Sequence, residues 1–445
     1  MKKLSLVATA VLGLISTTAM AQSTVTIYGI VDGGYNYVSG LRQGSVSTIA
    51  SGIMDGSRFG LRGNEDIGGG YRAIFTLENR LELDTGSVTN RPNSGPQLPD
   101  RVTTSVVSSI NASGIPLPAA NLNALANSIA NGNGTTSTGV NGQLGAGGVG
   151  VNIAGNLFDR QAFAGLVTPF GAFTLGRQYT PGYLVSAAFD ASQTQSSLAA
   201  GQIAGFPPAF DIRLSNTIQY GIQMSGVTAT AMYGAGEVAG DSKKSRFLGL
   251  MAMYKASNFS VGFGHNQKKN DLGQDSLTNN VFGATVNVGP GTLYGQYATI
   301  KDNNPFLIPF NLGAGAAAAT VAATPALAPL QSAIAASVQN AYVGAFRLDA
   351  RLMHIGYRMT TGPHTIVTAF NRLDDKRLVN ADTDSYGVTY SYALSKRTSL
   401  NAVLTKFNNK GQGQAAPGGN GFLGGVTSAA GVDATNVALG VNHKF

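Results

Sequence analysis

Apolar residues recur at every second position in many short segments of this chain. The clearest segment runs from Tyr386 to Leu394, where large apolar side chains alternate with Gly, Thr, Ser and Ala. The final segment repeats the pattern, with Val437, Leu439 and Val441 separated by small or polar residues. A period of two puts alternate side chains on opposite faces of a strand. The sequence therefore predicts a protein built from amphipathic strands.

Turn signals divide these strands into pairs. Gly, Pro, Asn and Ser supply the dihedral angles of tight turns. Tight turns are predicted at 66–70, 168–171, 224–226, 255–258, 288–291, 360–363 and 394–397. Longer loops are predicted at 38–49, 83–157, 179–214, 236–245, 266–276, 301–346, 373–381 and 408–433. Seven short turns alternating with eight longer loops predict sixteen strands, with both termini on the short-turn side.

A closed barrel is the architecture that this pattern favours. Charged residues make up only 12% of the chain, and the polar faces are rich in Gly, Ser and Thr. In lipid, strands satisfy every backbone N–H and C=O group only by closing on themselves. Short turns on one rim and long loops on the other are typical of transmembrane barrels. We therefore predict an all-β fold: a sixteen-stranded antiparallel transmembrane β-barrel with short periplasmic turns and long extracellular loops.

The first 21 residues have the composition of a signal peptide. A basic start is followed by an apolar run over 4–18 and by Ala19-Met20-Ala21, a small-x-small cleavage site. We expect cleavage after Ala21, which leaves residues 22–445 as one β-barrel domain in the outer membrane. The formal net charge of +8 falls to about +6 when Lys2 and Lys3 are removed, and a basic balance favours a lumen that attracts anions.

Two of the long loops, 83–157 and 301–346, are rich in Ala, Gly and Asn and nearly uncharged. Four prolines interrupt the second of them, so we predict an extracellular loop with short helices instead of a membrane helix. Helices are predicted at 119–130 and 330–341, the second from the spacing of Leu330, Ile334 and Val338.

Seven segments follow one another in an order that is characteristic of one family. They are IYGIVD at 27–32, GSRFGLRGNEDIGGG at 56–70, AIFTLE at 73–78, RQAFAGL at 160–166, TLGRQY at 174–179, YALSKRT at 392–398 and NHKF at 442–445. Together they resemble Gram-negative general porins of the β-proteobacterial type. The resemblance implies a homotrimer, passive diffusion of small hydrophilic solutes, and a third loop, here about 178–214, that folds into the barrel. The terminal Phe445 resembles the assembly signal through which such barrels meet the outer-membrane assembly machinery.

The family sets a ladder of arginines opposite its third loop, and arginines recur here on polar strand faces. Arg58 and Arg62 oppose Phe59 and therefore point to the lumen. Arg213 is expected to point inward in phase with Thr217. The predicted constriction residues are Arg58, Arg62, Glu78, Arg80, Arg160, Arg177, Asp190 and Arg213.

Arg177 shares its parity with apolar Leu175, so only a bulge near Gly176 or a strand end would turn it inward. Glu78 and Asp190 are expected on the wall opposite the arginines, where they would create a transverse field. Because arginine does not deprotonate, such a lining favours anions.

Other motifs are weak. The GxGxxG match at 145–150 lacks the flanking strand and helix of a nucleotide site. The four histidines have no metal-ligand spacing, no GxSxG elbow occurs, and the absence of cysteine excludes thiolate chemistry. We expect no enzyme activity, no cofactor and no nucleic-acid partner. A substrate-specific channel on the same barrel is the first alternative, and an outer-membrane hydrolase is the second, less favoured one.

Overall fold

The computed structural model describes residues 24–89, 99–115, 119–123, 152, 155–193, 212–305, 312–417 and 425–445. The predicted signal peptide and the GxGxxG stretch lie outside the described residues. Among the described residues, no helix is long and apolar enough to cross a membrane.

Sixteen wall positions close into one antiparallel barrel. β1 (Thr24–Leu41) closes the barrel against the last strand, β19 (Ala434–Lys444), from Ile30↔Lys444 to Ser39↔Thr435. Apart from the second wall position, the other strands of the wall are β4 (Tyr71–Arg80), β5 (Gln161–Thr168), β6 (Gly171–Tyr179), β7 (Arg213–Met224), β8 (Val227–Gly234), β9 (Phe247–Lys255), β10 (Phe259–Lys269), β11 (Asp275–Val288), β12 (Gly291–Asp302), β13 (Leu348–Thr361), β14 (His364–Asp375), β15 (Thr383–Ala393) and β16 (Thr398–Asn409). All seven tight turns are confirmed between these strands.

The second wall position consists of two strands placed end to end. β2 (Gly44–Ser51) pairs with the second half of β1, and β3 (Arg58–Gly68) pairs with its first half. The long loop predicted at 38–49 is therefore wrong, because β1 continues to Leu41 and only two residues separate it from β2. The interruption falls instead at 52–57, in residues that the sequence prediction assigned to the second strand, between the loop at 38–49 and the turn at 66–70.

Side chains alternate between the two faces of the wall as predicted. On β19, Val437 and Leu439 are exposed on the outer face, whereas Asn436 and Ala438 are fully buried on the inner face. The same alternation holds in β15 and β16. The outer wall is therefore apolar and the inner wall small or polar.

The third loop folds into the barrel. Its helix α2 (Pro181–Ala188) is buried along most of its length and packs against β9, β10 and β11. Glycines on the inner wall make room for it, since a Cβ on Gly283 would lie 2.2 Å from the Phe189 ring. The exit of this loop, 194–211, lies outside the described residues.

Further helices stand on the extracellular side, in the second and sixth loops. α1 (Asp100–Ala112) packs against α4 (Gln331–Phe346), which in turn packs against α3 (Leu312–Ala323). A 3₁₀ helix (Pro325–Leu330) joins the last two. α4 confirms the helix predicted at 330–341, and of the one predicted at 119–130 only 119–123 are described, as helix. A short ribbon of β17 (Ala415–Ala416) and β18 (Gly425–Val426) lies in the last loop.

Adjacent residues of β11 test the assignment of the two faces. Ala284 is exposed on the outer face, whereas Thr285 is half-buried on the inner face. We expect Ala284→Arg to lower the free energy of unfolding by about 2 kcal/mol, because its charge would face lipid. Thr285→Arg should cost less than half of that. Urea titration of folded barrels in lipid vesicles, followed by circular dichroism, measures both. Equal losses would contradict the assignment.

Candidate functional site

The strand register gathers charged side chains on one inner wall, where β3, β4 and β5 meet the long loops. Arg58, at the start of β3, pairs with Ile30 of β1 on one side and with Arg80 of β4 on the other. Glu78 lies on the same face of β4 as Arg80 and pairs with Gln161, the residue that follows Arg160. β3, β4 and β5 thus bring four predicted constriction residues together.

Glu78 lies at the centre of this cluster. Its Oε1 accepts a hydrogen bond from Arg160 Nε at 2.7 Å, and its Oε2 accepts one from the Tyr28 hydroxyl at 3.0 Å. The prediction that Glu78 stands opposite the arginines is therefore wrong. It lies among them because inward positions of one strand alternate strictly, and Glu78 and Arg80 are two residues apart on β4.

Two tyrosines contact Arg62 and Arg213, for which no ion pair is present among the described residues. The Tyr179 hydroxyl accepts hydrogen bonds from Arg160 Nη2 at 3.2 Å and from Arg213 Nη2 at 2.9 Å. The Arg213 guanidinium also lies 4.5 Å from the centre of the Tyr179 ring. Arg62 lies over Tyr28 in the same way, at 4.4 Å. Cation–π contacts of this kind fix a guanidinium without neutralising it.

The other arginines of the wall are ion-paired. Arg58 Nη2 is 2.7 Å from Asp55 Oδ1, and Arg80 contacts both Asp159, at 3.2 Å, and Glu82, at 3.6 Å. With the Glu78–Arg160 pair, four carboxylates compensate three guanidiniums, those of Arg58, Arg80 and Arg160. Within the described part of the chain, no carboxylate lies within 4.0 Å of Arg62 or Arg213.

Arg177 does not join the cluster. It pairs with Ala162 on the sheet face that also carries exposed Leu175, and its guanidinium donates to Asp159 O and Ser215 Oγ. The predicted irregularity is present, between Gly176 and Gln178 in the pairing with β7. It does not turn Arg177 inward, because the pairing with β5 stays regular through this residue.

Arg213 reaches the cluster by a route that strand phase does not predict. Asn216 has a left-handed φ of 59°, and Ser215 is exposed although Thr217 is buried. A bulge at this point therefore breaks the alternation between Arg213 and Thr217. Arg213 contacts Tyr179 because the two residues are directly paired at the ends of β6 and β7.

Asp190 lies on a different wall. The third loop carries it past β9, β10 and β11 to β13, where Ala191 N donates to His354 Nε2 at 3.1 Å. The Asp190 carboxylate accepts from the backbone N–H and the hydroxyl of Ser192. Arg358 Nη1 donates to Ser192 O at 3.0 Å. The loop is thus anchored across the lumen from the arginine wall.

Several of these partners were not singled out from sequence. Tyr28 was visible as a polar-face residue of the first strand, but its contact with Glu78 spans 50 positions. Tyr179 has no signal of its own beyond its place at the start of the third loop. Asp55 and Asp159 lie in loops, where alternation gives no information on direction.

The hydrolase alternative requires a serine, a histidine and a carboxylate in a specific order. Ser192, Asp190 and His354 do meet, but the serine hydroxyl donates to Asp190 and the nearest imidazole nitrogen accepts a backbone N–H. A nucleophilic serine would have to donate to the imidazole. All three side chains are also buried. Among the described residues, no group of three or more His, Asp or Glu could hold a metal ion.

A family model described as Gram-negative porin matches residues 8–412. The chain belongs to the Gram-negative porin family. This membership places it in the outer membrane. It is 47% identical over 90 residues to outer membrane porin protein 32 of Delftia acidovorans, which is 20% of this chain and 25% of that protein. It is 37% identical over 101 residues to an outer membrane porin protein of Bordetella pertussis, 20% and 26% of the two chains. The aligned segments thus span about a quarter of these curated relatives.

Solved porins share the fold over nearly their whole length. An anion-selective porin from Comamonas acidovorans superposes with a TM-score of 0.64 at 21% identity, covering 95% of this chain and all of that one. OmpT of Vibrio cholerae in a trimer form superposes with a TM-score of 0.54 at 12% identity, covering 95% and 99%. At such identities the likeness establishes the barrel architecture alone.

The Glu78–Arg160 pair provides a test of the cluster. Both side chains are about 5% exposed or less, so removing one partner leaves a buried charge uncompensated. We expect Arg160→Gln to lower the free energy of unfolding by about 3 kcal/mol, and the double change Glu78→Gln/Arg160→Gln to lower it by less. Titration with guanidinium chloride in lipid vesicles measures the free energy of unfolding of both variants. A double variant at least as unstable as Arg160→Gln alone would contradict the pairing.

Proposed function

We propose that this porin forms a water-filled channel for passive diffusion of small hydrophilic solutes and ions, with a preference for anions. One observation carries the proposal: Arg62 and Arg213 stand on this inner wall beside the inserted third loop with no carboxylate within 4.0 Å among the described residues. The proposed constriction consists of Arg58, Arg62, Glu78, Arg80, Arg160 and Arg213 on this wall and of the loop that carries Asp190 on the other.

Arg62 and Arg213 are the residues on which anion preference depends most directly. Their charges face the lumen beside aromatic rings, whereas Arg58, Arg80 and Arg160 have carboxylate partners. Guanidinium stays protonated throughout the physiological pH range, so the field at this wall is permanent. A fixed positive charge in a narrow aqueous passage attracts anions and repels cations.

We also propose a homotrimer, and we propose that the C-terminal strand with Phe445 is the signal that meets the outer-membrane assembly machinery. A trimer form is named for OmpT of Vibrio cholerae, a structural neighbour of this chain. Phe445 N and O both bond to Gly29, and the Phe445 ring occupies the space that a Cβ on Gly29 would need. Light scattering of detergent-solubilised protein should give the mass of three chains. A monomer mass that persists in lipid nanodiscs would contradict the trimer.

A substrate-specific channel is the second candidate, because helices gather above the barrel. Asp100 of α1 accepts from Arg42 in the first turn and from Gln414 in the last loop, and α1 also packs on α4 of the sixth loop. Liposome swelling separates the two functions. A general porin admits sugars at rates that fall steadily with size, whereas a specific channel shows saturation by one solute.

Planar-bilayer recording under a potassium chloride gradient tests the proposed function. We expect stable open channels whose reversal potential reports a preference for chloride. The double change Arg62→Gln/Arg213→Gln should lower the chloride-to-potassium permeability ratio by about tenfold, because each of the two unit charges contributes about 1 kcal/mol to an ion within ~4 Å in water and somewhat less with salt screening.

The control is a double variant that removes two charges far from the constriction, Arg397→Gln/Lys396→Gln in an exposed turn. It should leave the permeability ratio unchanged. No open channel from the natural chain would contradict the porin function. An unchanged ratio in Arg62→Gln/Arg213→Gln would contradict only the assignment of these arginines.

A further inference from the structure

The segment 52–57, which interrupts the second wall position, projects into the barrel. Ile53 is fully buried and Met54 is 9% exposed. Both pack with inner-wall residues of β16 and β19, Val403 and Ala438. Gly440 on β19 provides the space, since a Cβ there would lie 2.9 Å from Ile53 Cγ1. The interruption is thus a packed insertion into the lumen, on a wall away from β9–β11, where α2 packs.

Asp32 of β1 holds this insertion in place. Its carboxylate accepts hydrogen bonds from Met54 N at 3.1 Å, Asp55 N at 2.9 Å and Asn442 Nδ2 at 2.7 Å. Its backbone N–H donates to Ser57 Oγ at 3.0 Å, and its backbone oxygen accepts from Gly52 N at 2.7 Å. A continuous partner strand would form backbone hydrogen bonds with β1 at this point. Residues at both ends of the insertion form hydrogen bonds with β1 in their place.

The insertion presents a carboxylate to the arginine wall. Arg58 donates through Nε to Gly56 O at 2.8 Å and through Nη2 to Asp55 Oδ1 at 2.7 Å. The side chains of Arg58 and Asp55 are 10% and 15% exposed, so both border the lumen. Asp55 is the only carboxylate within 4.0 Å of Arg58 among the described residues.

We propose that segment 52–57 is a second constriction element, that Asp55 on it limits anion preference by neutralising Arg58, and that Asp32 is the residue that positions it. This inference rests on the proposed channel function and deepens it. The two intrusions act differently: the third loop narrows the lumen along β9–β13, whereas the insertion narrows it beside β16 and β19 and sets how many arginine charges remain uncompensated.

Asp55→Asn tests the role of the carboxylate. The amide oxygen of Asn can still accept from Arg58, so the insertion should keep its conformation while the Arg58 charge becomes uncompensated. We expect the chloride-to-potassium permeability ratio to rise by about threefold at 0.1 M salt, the effect of one added unit charge with screening. The matched control is Asp66→Asn, which makes the same charge change at the exposed end of β3 and should leave the ratio unchanged.

Asp32→Asn tests the positioning role through a double-mutant cycle. An amide at position 32 places a donor where Asn442 or a backbone N–H needs an acceptor, so the insertion should loosen. We expect a higher single-channel conductance and a shifted reversal potential. If Asp32 acts on selectivity through Asp55, adding Asp32→Asn to Asp55→Asn should leave the permeability ratio of Asp55→Asn unchanged while still raising conductance.

Asp32→Asn/Asn442→Asp is the rescue variant. It restores a donor and an acceptor across the β1–β19 pair, where the two residues are directly opposite, and should return conductance toward the natural value. Heat-modifiable migration on gels confirms that each variant is folded before recording.

The chain has no cysteine, so an Asp55→Cys variant can be labelled at one position. A water-soluble anionic methanethiosulfonate reagent should lower its conductance and leave an Asp66→Cys variant unaffected. The inference would be overturned if Asp55→Asn channels had the same permeability ratio as the natural channels and Asp55→Cys channels did not react with the reagent. If the natural channels were still anion-selective, the proposed function would remain intact. Absence of channels from the natural chain would instead contradict the proposed function itself.

Discussion

Closure of the backbone ladder is the constraint on which the rest of this structure depends. A strand wall in lipid has no water to satisfy an open edge, so the first and last strands must pair. Here β1 meets β19 over ten residue pairs, and the terminal Phe445 extends the contact to Gly29. Once the wall is closed, alternation along every strand decides which side chains face lipid and which face the lumen. The charged cluster exists because closure makes an interior that is polar and shielded from lipid.

The same constraint explains why both intrusions into the lumen meet glycine and small residues. A wall strand cannot shift to accept an inserted segment without losing its ladder, so space has to come from missing side chains. Gly262 and Gly283 accommodate Phe189 of the third loop, and Gly440 accommodates Ile53. Where a partner strand is interrupted, the unpaired groups of β1 need other partners, and Ser57 and the ends of the insertion supply them. The interruption is therefore compatible with a membrane wall.

Much of the fold was predictable because it follows from two local rules. Strand count, all seven tight turns and the faces of segments such as 386–394 and 437–441 come from period-two alternation and from turn chemistry. The wrong predictions concern residues whose position depends on weak alternation, on a bulge or on the register between strands. A long first loop was predicted because the extension of β1 to Leu41 has no strong alternation. Asn216 breaks the phase of β7, and a single bulge reverses every parity argument beyond it. Contacts such as Tyr28 with Glu78 depend on register between strands, which a single sequence does not contain.

Ion selectivity is the property that alternation predicts least. It depends on which inward charges stay without an ion-pair partner, whereas alternation predicts only which side chains point inward. Parity correctly brought Arg58 and Arg62 to the lumen, yet the two differ: one is bound to Asp55 and the other lies over a tyrosine ring. A buried charge must be paired or hydrogen-bonded, so a wall with this many arginines necessarily recruits carboxylates. Of the four carboxylates that pair with these arginines, three lie in loops: Asp55, Glu82 and Asp159. What remains uncompensated is accordingly set by loop conformation. A barrel of this kind can therefore change its ion preference by altering short segments inside the lumen while its wall stays the same.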